Sequence, residues 1–506
     1  MWSARRRRDL ESGEAPLPFV PGEVSNGEFV PVAPTGRDVW IAEETLRRAD
    51  HAAQRAGVDR RRFLQSAGGL AVMLGVVNAC SNEKTATGPS KAGGSFTTPT
   101  EPSDLVECES ALGSQGELIV DVHTHHVMPA GPWRQNAPGI EEMILRLVPD
   151  GCEAPDPLEC LDRAHYVQDL FLGSDTTVAM LSDVPNSGPA DAPVPFDENL
   201  ASAEFAASVG TGGAPRVLTQ SVVAPNFGEL PPYLDLMSAQ ATTGKVASFK
   251  AYTAWGPDRR GYALDDPAIG LPVIEQARSL GVTVFCAHKG LPLMEFDLSH
   301  NGPDDLVSAA KQFPDVQFVV YHSAFERETT EGPYDPASAS RGTNSLVAAL
   351  DRHGIPPNAN VWCELGTTWR EVMTNPTEAA HVMGKLLSRV GEDRVLWGTD
   401  AIWYGSPQPQ IAAFRVFEIS AEFQERFGYP ALTAERKQKV FGLNAAALLG
   451  LDPQAYCALG GDPLAVAQAS YDEIVRDGVV DPWVARGPLS RRDVLTWARR
   501  VAWTPW

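Results

Sequence analysis

From residue 117 onward, short apolar runs alternate with stretches whose apolar residues recur at helical spacing. The runs are continuously apolar, which is typical of strands buried on both faces in a parallel sheet. Eight strand–helix units over about 330 residues predict an α/β fold, a (β/α)8 TIM barrel with insertions. A doubly wound sheet is the alternative, but it gives no reason for polar residues at so many strand ends. The predicted strands are 118–120, 176–181, 216–223, 245–252, 281–287, 316–321, 360–363 and 394–398, and the predicted helices are 158–172, 199–209, 233–241, 267–280, 304–313, 344–353, 377–390, 411–423 and 434–449.

Polar side chains follow these runs at the point where the predicted strands end. They are His123 and His125 on the first strand, Lys250 on the fourth, His288 on the fifth, His322 on the sixth and Asp400 on the eighth. In a barrel all these ends meet at one face, where active sites are built. Imidazoles together with a carboxylate suit Zn²⁺ with an open position for water. For any single histidine, a hydrogen-bonded core residue is an equally good interpretation.

The order and placement of these motifs resemble the amidohydrolase superfamily, and more closely its amidohydrolase-related branch of metal-dependent barrels. The resemblance covers residues 117–451 and rests on the motifs Val120-Asp-Val-His-Thr-His125, Cys286-Ala-His288, Val320-Tyr-His322, Leu396-Trp-Gly-Thr-Asp400 and Val440-Phe-Gly-Leu-Asn-Ala-Ala446. It implies that His123, His125 and His288 are metal ligands. It also implies that Asp400 is a ligand or the base that takes a proton from water on the metal. His322 would be a further ligand or a catalytic residue that polarises the substrate.

Lys250 leaves the number of metals open. In some branches of the superfamily a lysine here is carboxylated and bridges two metals, whereas the mononuclear branch, which we favour, needs none. A free Lys250 could instead pair with a substrate carboxylate or with Asp400. Glu364 and Glu326 are candidates for orienting an imidazole. The aromatic residues near the strand ends could line an apolar pocket or simply pack the loops; they are Trp133, Tyr252, Trp255, Trp403 and Tyr404.

Three functions follow as hypotheses. The first is a metal-dependent hydrolase that uses zinc-activated water to cleave an amide, lactone or ester bond in a small molecule. The second keeps the same site and decarboxylates an aromatic or unsaturated acid, as members of this branch also do. The third is an exported barrel that binds a ligand without catalysis. The formal net charge of −22 argues against a nucleic-acid surface.

The segment before the barrel predicts export. Residues 60–80 combine Arg60–Arg62, then Phe63, and a weakly apolar run, which resembles a twin-arginine signal and implies the twin-arginine machinery as a partner. A short buried helix is the alternative. Cys80 follows a sequence similar to a lipoprotein processing site, so a lipid anchor there is a further hypothesis. The expected location is periplasmic or on the extracytoplasmic surface.

The remaining boundaries follow from composition. We expect a disordered extension over residues 1–59, with a short helix over 41–55, and a flexible linker over residues 81–115. The barrel is expected over residues 116–451 and a helical extension over residues 452–506. In an oxidising compartment Cys152 and Cys160 could form a disulfide. Cys286 and Cys363 lie in apolar runs and predict buried thiols.

Overall fold

The structure is a computed structural model, and it describes most of the 506-residue chain. The described residues are 17–24, 32–81, 84–85, 88–89, 92–148, 152, 154–209, 214–292, 296–456 and 462–476.

Eight parallel strands form the predicted TIM barrel. Each strand pairs with the next along the chain, so the sheet order is the sequence order. The barrel closes between its first and last strands, because the N–H of Val122 donates to the carbonyl of Trp397 (3.1 Å) and that of Asp400 to the carbonyl of His123 (2.9 Å). The strands are β1 Val120–Thr124, β2 Val178–Leu181, β3 Val217–Val223, β4 Val246–Ala251, β5 Val284–His288, β6 Gln317–Tyr321, β7 Val361–Glu364 and β8 Val395–Leu396. Each overlaps a predicted apolar run, although β1 shares only Val120 with the run 118–120 and continues to Thr124.

Helices cover the outside of the sheet, and the predicted ones are present with small shifts at their ends. The main exception is the predicted helix 411–423, which is interrupted by the strand Phe417–Ile419. The helices of the barrel are Trp133–Asn136, Pro138–Leu145, Arg163–Val167, Phe196–Ala206, Leu230–Ala241, Gly270–Ser279, Asp304–Gln312, Gly342–His353, Thr368–Val372, Pro376–Lys385, Gln408–Val416, Ala421–Phe427, Ala434–Gln438 and Asn444–Leu449. Short 3₁₀ and π segments extend several of them.

Three helices within residues 36–81 pack against one another ahead of the barrel. They are α1 Gly36–Ala56, α2 Arg60–Leu64 and α3 Ala67–Ser81. Helix α1 begins at a capping box, in which the Thr35 side chain accepts from the N–H of Asp38 and the Asp38 carboxylate accepts from the N–H of Thr35. Helix α3 is apolar on all sides and is buried, as expected for a helix enclosed by other elements. The alternative reading of 60–80, a short buried helix, therefore describes its conformation.

The segments before the barrel contain more regular structure than the sequence predicted. Residues 36–56 form a helix, which includes the predicted helix 41–55. The predicted linker 81–115 contains the strand Gly94–Phe96, which pairs with Phe417–Ile419, and the helix Leu105–Leu112. Both are ordered by apolar contacts, since Phe96, Cys108 and Leu112 are buried in the main core.

Beyond the barrel, the predicted C-terminal extension is helical over Pro463–Arg476. Its start is held by an ion pair between Arg216 and Asp462 (2.6 Å). The predicted helix beyond residue 476 lies outside the described residues.

Cys152 and Cys160 form the expected disulfide in the insertion after β1. The thiols of Cys286 and Cys363 are buried, also as expected, and Cys80 is partly exposed near the end of α3. Among the helices that the structure describes, none is long and apolar enough to cross a membrane.

Candidate metal centre

The two histidines of β1 lie side by side at the carboxyl end of the barrel. His123 is 1% and His125 is 2% exposed, and their ring centroids are 5.0 Å apart. Alternation along the strand places both side chains on the same face. Asp121 has the same parity; its carboxylate accepts hydrogen bonds from the N–H of His123 (3.1 Å) and from the N–H of Thr399 (3.1 Å). It therefore ties β1 to the segment that carries Asp400.

Hydrogen bonds assign the tautomer of both rings. Nδ1 of His123 lies 3.1 Å from Oε1 of Glu364, and Nδ1 of His125 lies 2.8 Å from the carbonyl of Ser182. Because these oxygens accept, each Nδ1 carries the proton and each Nε2 presents a lone pair. Both Nε2 atoms face Oδ1 of Asp400, at 3.5 Å and 3.4 Å.

His288 and His322 extend the cluster on the far side of His123. Nδ1 of His322 donates to the carbonyl of Gly366 (2.9 Å), and Nε2 of His288 donates to the carbonyl of Leu291 (3.0 Å). The remaining nitrogens, Nε2 of His322 and Nδ1 of His288, lie 3.2 Å apart. In these tautomers neither nitrogen can donate to the other.

The centre therefore consists of acceptors that point at one another. Four neutral imidazoles direct lone pairs inward, and Asp400 adds a carboxylate. The one donor that contacts these lone pairs in the described hydrogen bonds is Nζ of Lys250, 3.2 Å from Nε2 of His123. Such an arrangement is stabilised by a cation, and imidazole and carboxylate are ligands that Zn²⁺ prefers. The residues present thus fit a divalent metal.

Among the described residues, two sets of three side chains could each hold a metal ion. Within each set the ligand atoms lie within 4.8 Å of one another. One is His123, His125 and Asp400, and the other is His123, His322 and Glu364. The structure thus brings three of the four expected ligands together. His288 joins them through its contact with His322, with ring centroids 4.5 Å apart.

Glu364, at the end of β7, is already engaged by the protein. Its Oε1 accepts from the N–H of His322 (2.5 Å) and contacts His123, and its Oε2 accepts from the N–H of Gly366 (2.5 Å). This confirms the expectation that Glu364 orients an imidazole and argues against its use as a ligand. A Cβ at Gly366 would lie 2.5 Å from Nδ1 of His123, so only glycine permits this approach.

Burial sets the protonation of the centre. Burial lowers the pKa of His123 well below the ordinary value, and Lys250 adds to this shift. Burial likewise lowers the pKa of His288 well below the ordinary value, and His322 adds to that shift. The pKa of His322 is lowered by burial to about 4. Burial also lowers the pKa of His125, although the contact with Asp400 opposes this. Neutral imidazoles are the form that binds a metal.

The carboxyl groups respond in opposite directions. Burial would raise the pKa of Asp400, but the side chains of His125 and His322 in their protonated form and the hydroxyl of Thr367 lower it below the ordinary value, so that it is ionised. Burial raises the pKa of Glu364 to about 8 and that of Asp121 to about 7, against the effect of their hydrogen-bond donors. A cation in the centre would favour the ionised form of each nearby carboxyl group.

Aromatic rings surround part of the centre, as the sequence suggested for some of them. Trp403 stacks on His125 (centroids 5.6 Å apart), and Tyr252 lies 5.4 Å from His288. The indole N–H of Trp255 donates to the carbonyl of Asn186. Trp133 packs in the apolar cluster that also contains Trp403, and its indole N–H donates to the carbonyl of Met128.

One prediction about the neighbourhood needs correction. Glu326 binds Arg341 rather than an imidazole in the described contacts, because the guanidinium of Arg341 takes up its carboxylate. Sequence reasoning missed Asp121, which the alternation of β1 could have indicated, and Thr367. The hydroxyl of Thr367 donates to Oδ2 of Asp400 (2.7 Å), and no sequence pattern marks it.

The chain is similar to one protein family and to several solved structures. The family model described as Amidohydrolase matches residues 120–451. No curated protein matches the chain. Among solved structures, the chain is similar to an uncharacterized TIM-barrel protein from Bordetella bronchiseptica, with 14% identity and a TM-score of 0.42 over 66% of this chain and 98% of that chain. It is also similar to 5-carboxyvanillate decarboxylase from Novosphingobium aromaticivorans, complexed with manganese, with 15% identity and a TM-score of 0.44 over 67% and 97%. A third match is 2,6-dihydroxybenzoate decarboxylase from Rhizobium, with 14% identity and a TM-score of 0.39 over 67% and 100%.

Proposed function

The chain belongs to the amidohydrolase family, and on that premise we propose that it is a metal-dependent enzyme acting on a carboxyl group, or a carboxyl derivative, of a small organic molecule. The observation that carries the proposal is the convergence of imidazole lone pairs and the Asp400 carboxylate in a buried centre. Without a cation these acceptors repel one another.

We propose that the centre holds one divalent metal, with Zn²⁺ as the first candidate. His123, His125, His288 and Asp400 would hold it, and His322 is a further ligand. A divalent metal supplies a Lewis acid and lowers the pKa of bound water, to about 7 for zinc. One metal is favoured over two because the mononuclear branch of the superfamily, which the chain resembles, needs no bridging lysine. The tautomer of His322 suits a ligand better than a donor to the substrate, since its proton is already given to Gly366.

Hydrolysis of an amide, ester or lactone is the first candidate reaction. Asp400 supports it, because an ionised carboxylate next to both β1 histidines can accept a proton from water and return it to the leaving group. The burial of the four imidazoles excludes bulk water, which strengthens each electrostatic contact.

Decarboxylation of an aromatic or unsaturated acid is the second candidate. Lys250 favours it, because a buried ammonium beside the metal site attracts a carboxylate. Its Nζ lies 4.4 Å and 4.8 Å from the ring centroids of Tyr321 and Tyr252, which hold it in place. Two of the similar solved structures described above are decarboxylases, but their likeness concerns the fold alone.

The first experiment is metal analysis of the purified protein and of the double variant His123→Ala, His125→Ala. The variant should retain less than roughly a tenth of the wild-type metal, because two ligands are lost. Full occupancy in the variant would remove these histidines from the centre. A wild-type protein that stays metal-free after Zn²⁺ or Mn²⁺ is supplied would favour a non-catalytic binding barrel instead.

The second experiment separates the two reactions. Metal-loaded protein is incubated with a panel of lactones, amides, esters and aromatic acids, and both released CO₂ and hydrolysis products are measured. The double histidine variant is the matched control, because activity from a contaminant would persist in it. CO₂ release that depends on the two histidines would establish decarboxylation.

Export remains a proposal. Arg60–Arg62 are exposed in the folded protein, and the disulfide Cys152–Cys160 is of the kind that forms in oxidising compartments. Phe63 is buried, and so is most of α3. Removal of this helix would expose the apolar surface that it covers. We therefore propose that the protein is exported with the segment attached, and that a lipid anchor at Cys80, which requires cleavage before it, is the less favoured route.

A further inference from the structure

Thr367 has a backbone conformation that its side chain does not explain. It follows β7 and precedes the helix Thr368–Val372, with φ 57° and ψ −40°. A β-branched residue rarely adopts positive φ, and such a conformation costs on the order of 1–3 kcal/mol. Glycine would adopt positive φ without this penalty. The strain is understandable if the hydroxyl is needed at this position.

The hydroxyl lies in a directed chain of hydrogen bonds. Oγ1 of Thr367 is 2.7 Å from Oδ2 of Asp400 and 3.0 Å from the hydroxyl of Tyr404. Thr367 has a single hydroxyl hydrogen, and the ionised carboxylate can only accept. Thr367 therefore donates to Asp400, and Tyr404 donates to Thr367. All three side chains are buried.

These hydrogen bonds leave Oδ1, the other carboxylate oxygen of Asp400, to face the histidines. With Oδ2 held by Thr367, Oδ1 lies 3.5 Å from Nε2 of His123 and 3.4 Å from Nε2 of His125. Rotation about the last torsion of an aspartate is otherwise broad and nearly two-fold. A donor fixed on one oxygen thus determines which oxygen faces the lone pairs.

We propose that Thr367 is the positioning residue of the metal centre: it fixes Asp400 so that Oδ1 faces the metal position, and Tyr404 orients its hydroxyl. The inference rests on the proposed function, because it assigns Thr367 a role in holding the metal. It predicts that the hydroxyl, rather than the size of the side chain, sets the affinity.

The test compares Thr367→Val, which keeps the shape and the β-branch, with Thr367→Ser, which keeps the hydroxyl. Zn²⁺ affinity is measured by competition with a chromophoric chelator, and the visible spectrum of the Co²⁺-substituted protein reports the ligand geometry. Thr367→Val should weaken Zn²⁺ binding about 10–100-fold and change the Co²⁺ spectrum, as expected when a residue that orients a ligand is lost. Thr367→Ser should stay close to the wild type in both measurements.

Several outcomes would overturn the inference. One is wild-type affinity and an unchanged Co²⁺ spectrum in Thr367→Val. Another is an equal loss in Thr367→Ser, which would point to the methyl group or the backbone. If Thr367→Val fails to fold, Tyr404→Phe replaces it, with a smaller loss of affinity expected and an unchanged one overturning the inference. A wild-type protein that binds neither metal would refute the proposed function itself, which is a distinct result.

Discussion

The replacement of Glu364 by glutamine tests how the protein holds His123. The carboxylate accepts three contacts: the N–H of His322 and Nδ1 of His123 at Oε1, and the N–H of Gly366 at Oε2. A carboxamide has the same shape but only one acceptor oxygen. In either orientation of the new side chain, at least one backbone N–H therefore faces an NH₂ group instead of an acceptor.

The magnitude follows from this count. Glu364 is fully buried, and a buried donor without an acceptor costs about 1–3 kcal/mol. At about pH 9, above the pKa of about 8 at which this carboxyl group ionises, Glu364→Gln should therefore lower the free energy of unfolding of the metal-free protein by about that amount. If the amide takes the place of Oε1, it donates to Nδ1 of His123 and shifts the ring proton to Nε2, the atom that should bind the metal. We therefore expect Zn²⁺ affinity to fall about 10–100-fold.

The assay is urea unfolding of the metal-free proteins together with chelator competition for Zn²⁺. The matched control is Glu331→Gln, which removes a buried carboxylate paired with Lys385 (2.6 Å) outside the centre. The control should lose stability but keep its Zn²⁺ affinity. If Glu364→Gln retains wild-type stability and affinity, the carboxylate does not hold His123 and the reasoning is wrong.

Three further predictions concern the reaction, pH dependence and export. Asp400→Asn keeps the size of the side chain but cannot carry a proton, so kcat per metal-loaded molecule should fall at least about a hundredfold; near-wild-type turnover would remove Asp400 from the mechanism. Burial raises the pKa of Asp169 from 3.8 to about 7, so the folded state binds this proton more tightly than the unfolded chain, and stability should be lost as the pH rises from about 4 to 7. Asp169→Asn should then be more stable than the wild type at pH 8, by about 1 kcal/mol or more, with a smaller gap at pH 5.5 in urea unfolding; an equal gap at both pH values would contradict this. Changing Arg60–Arg62 to lysine should trap the protein in the cytoplasm, as fractionation of cells would detect; normal export would show that the segment is no twin-arginine signal.

The sequence was sufficient for the barrel because its strands are short, apolar and regularly spaced. A strand buried on both faces is mostly apolar, so His288 and His322 stand out where β5 and β6 stop. Parallel strands bring those ends to one face. The histidines of the centre could therefore be listed before any coordinate was known.

The residues that orient the histidines could not be found in this way. The ring N–H groups donate to the backbone carbonyls of Ser182, Leu291 and Gly366. Every residue has such a carbonyl, so the amino-acid sequence does not indicate which ones accept. Thr367 lies in a loop with no period to mark it. These contacts depend on how the loops fold over the barrel, which is a property of the tertiary structure.

The segment before the barrel shows a different limit of sequence reasoning. A weakly apolar, glycine-containing run after paired arginines suits an export signal, and it also suits a helix enclosed by protein. A buried helix, unlike an export signal, requires apolar surfaces elsewhere in the chain against which it can pack. Here such surfaces exist: Met73 and Leu74 are fully buried in the core that also contains Phe96 and Leu112. A Cβ at Gly69 would lie 2.6 Å from the backbone of Leu64, so the glycine serves the packing of α2 against α3. The residues that indicate an export signal thus also meet the packing requirements of a buried helix.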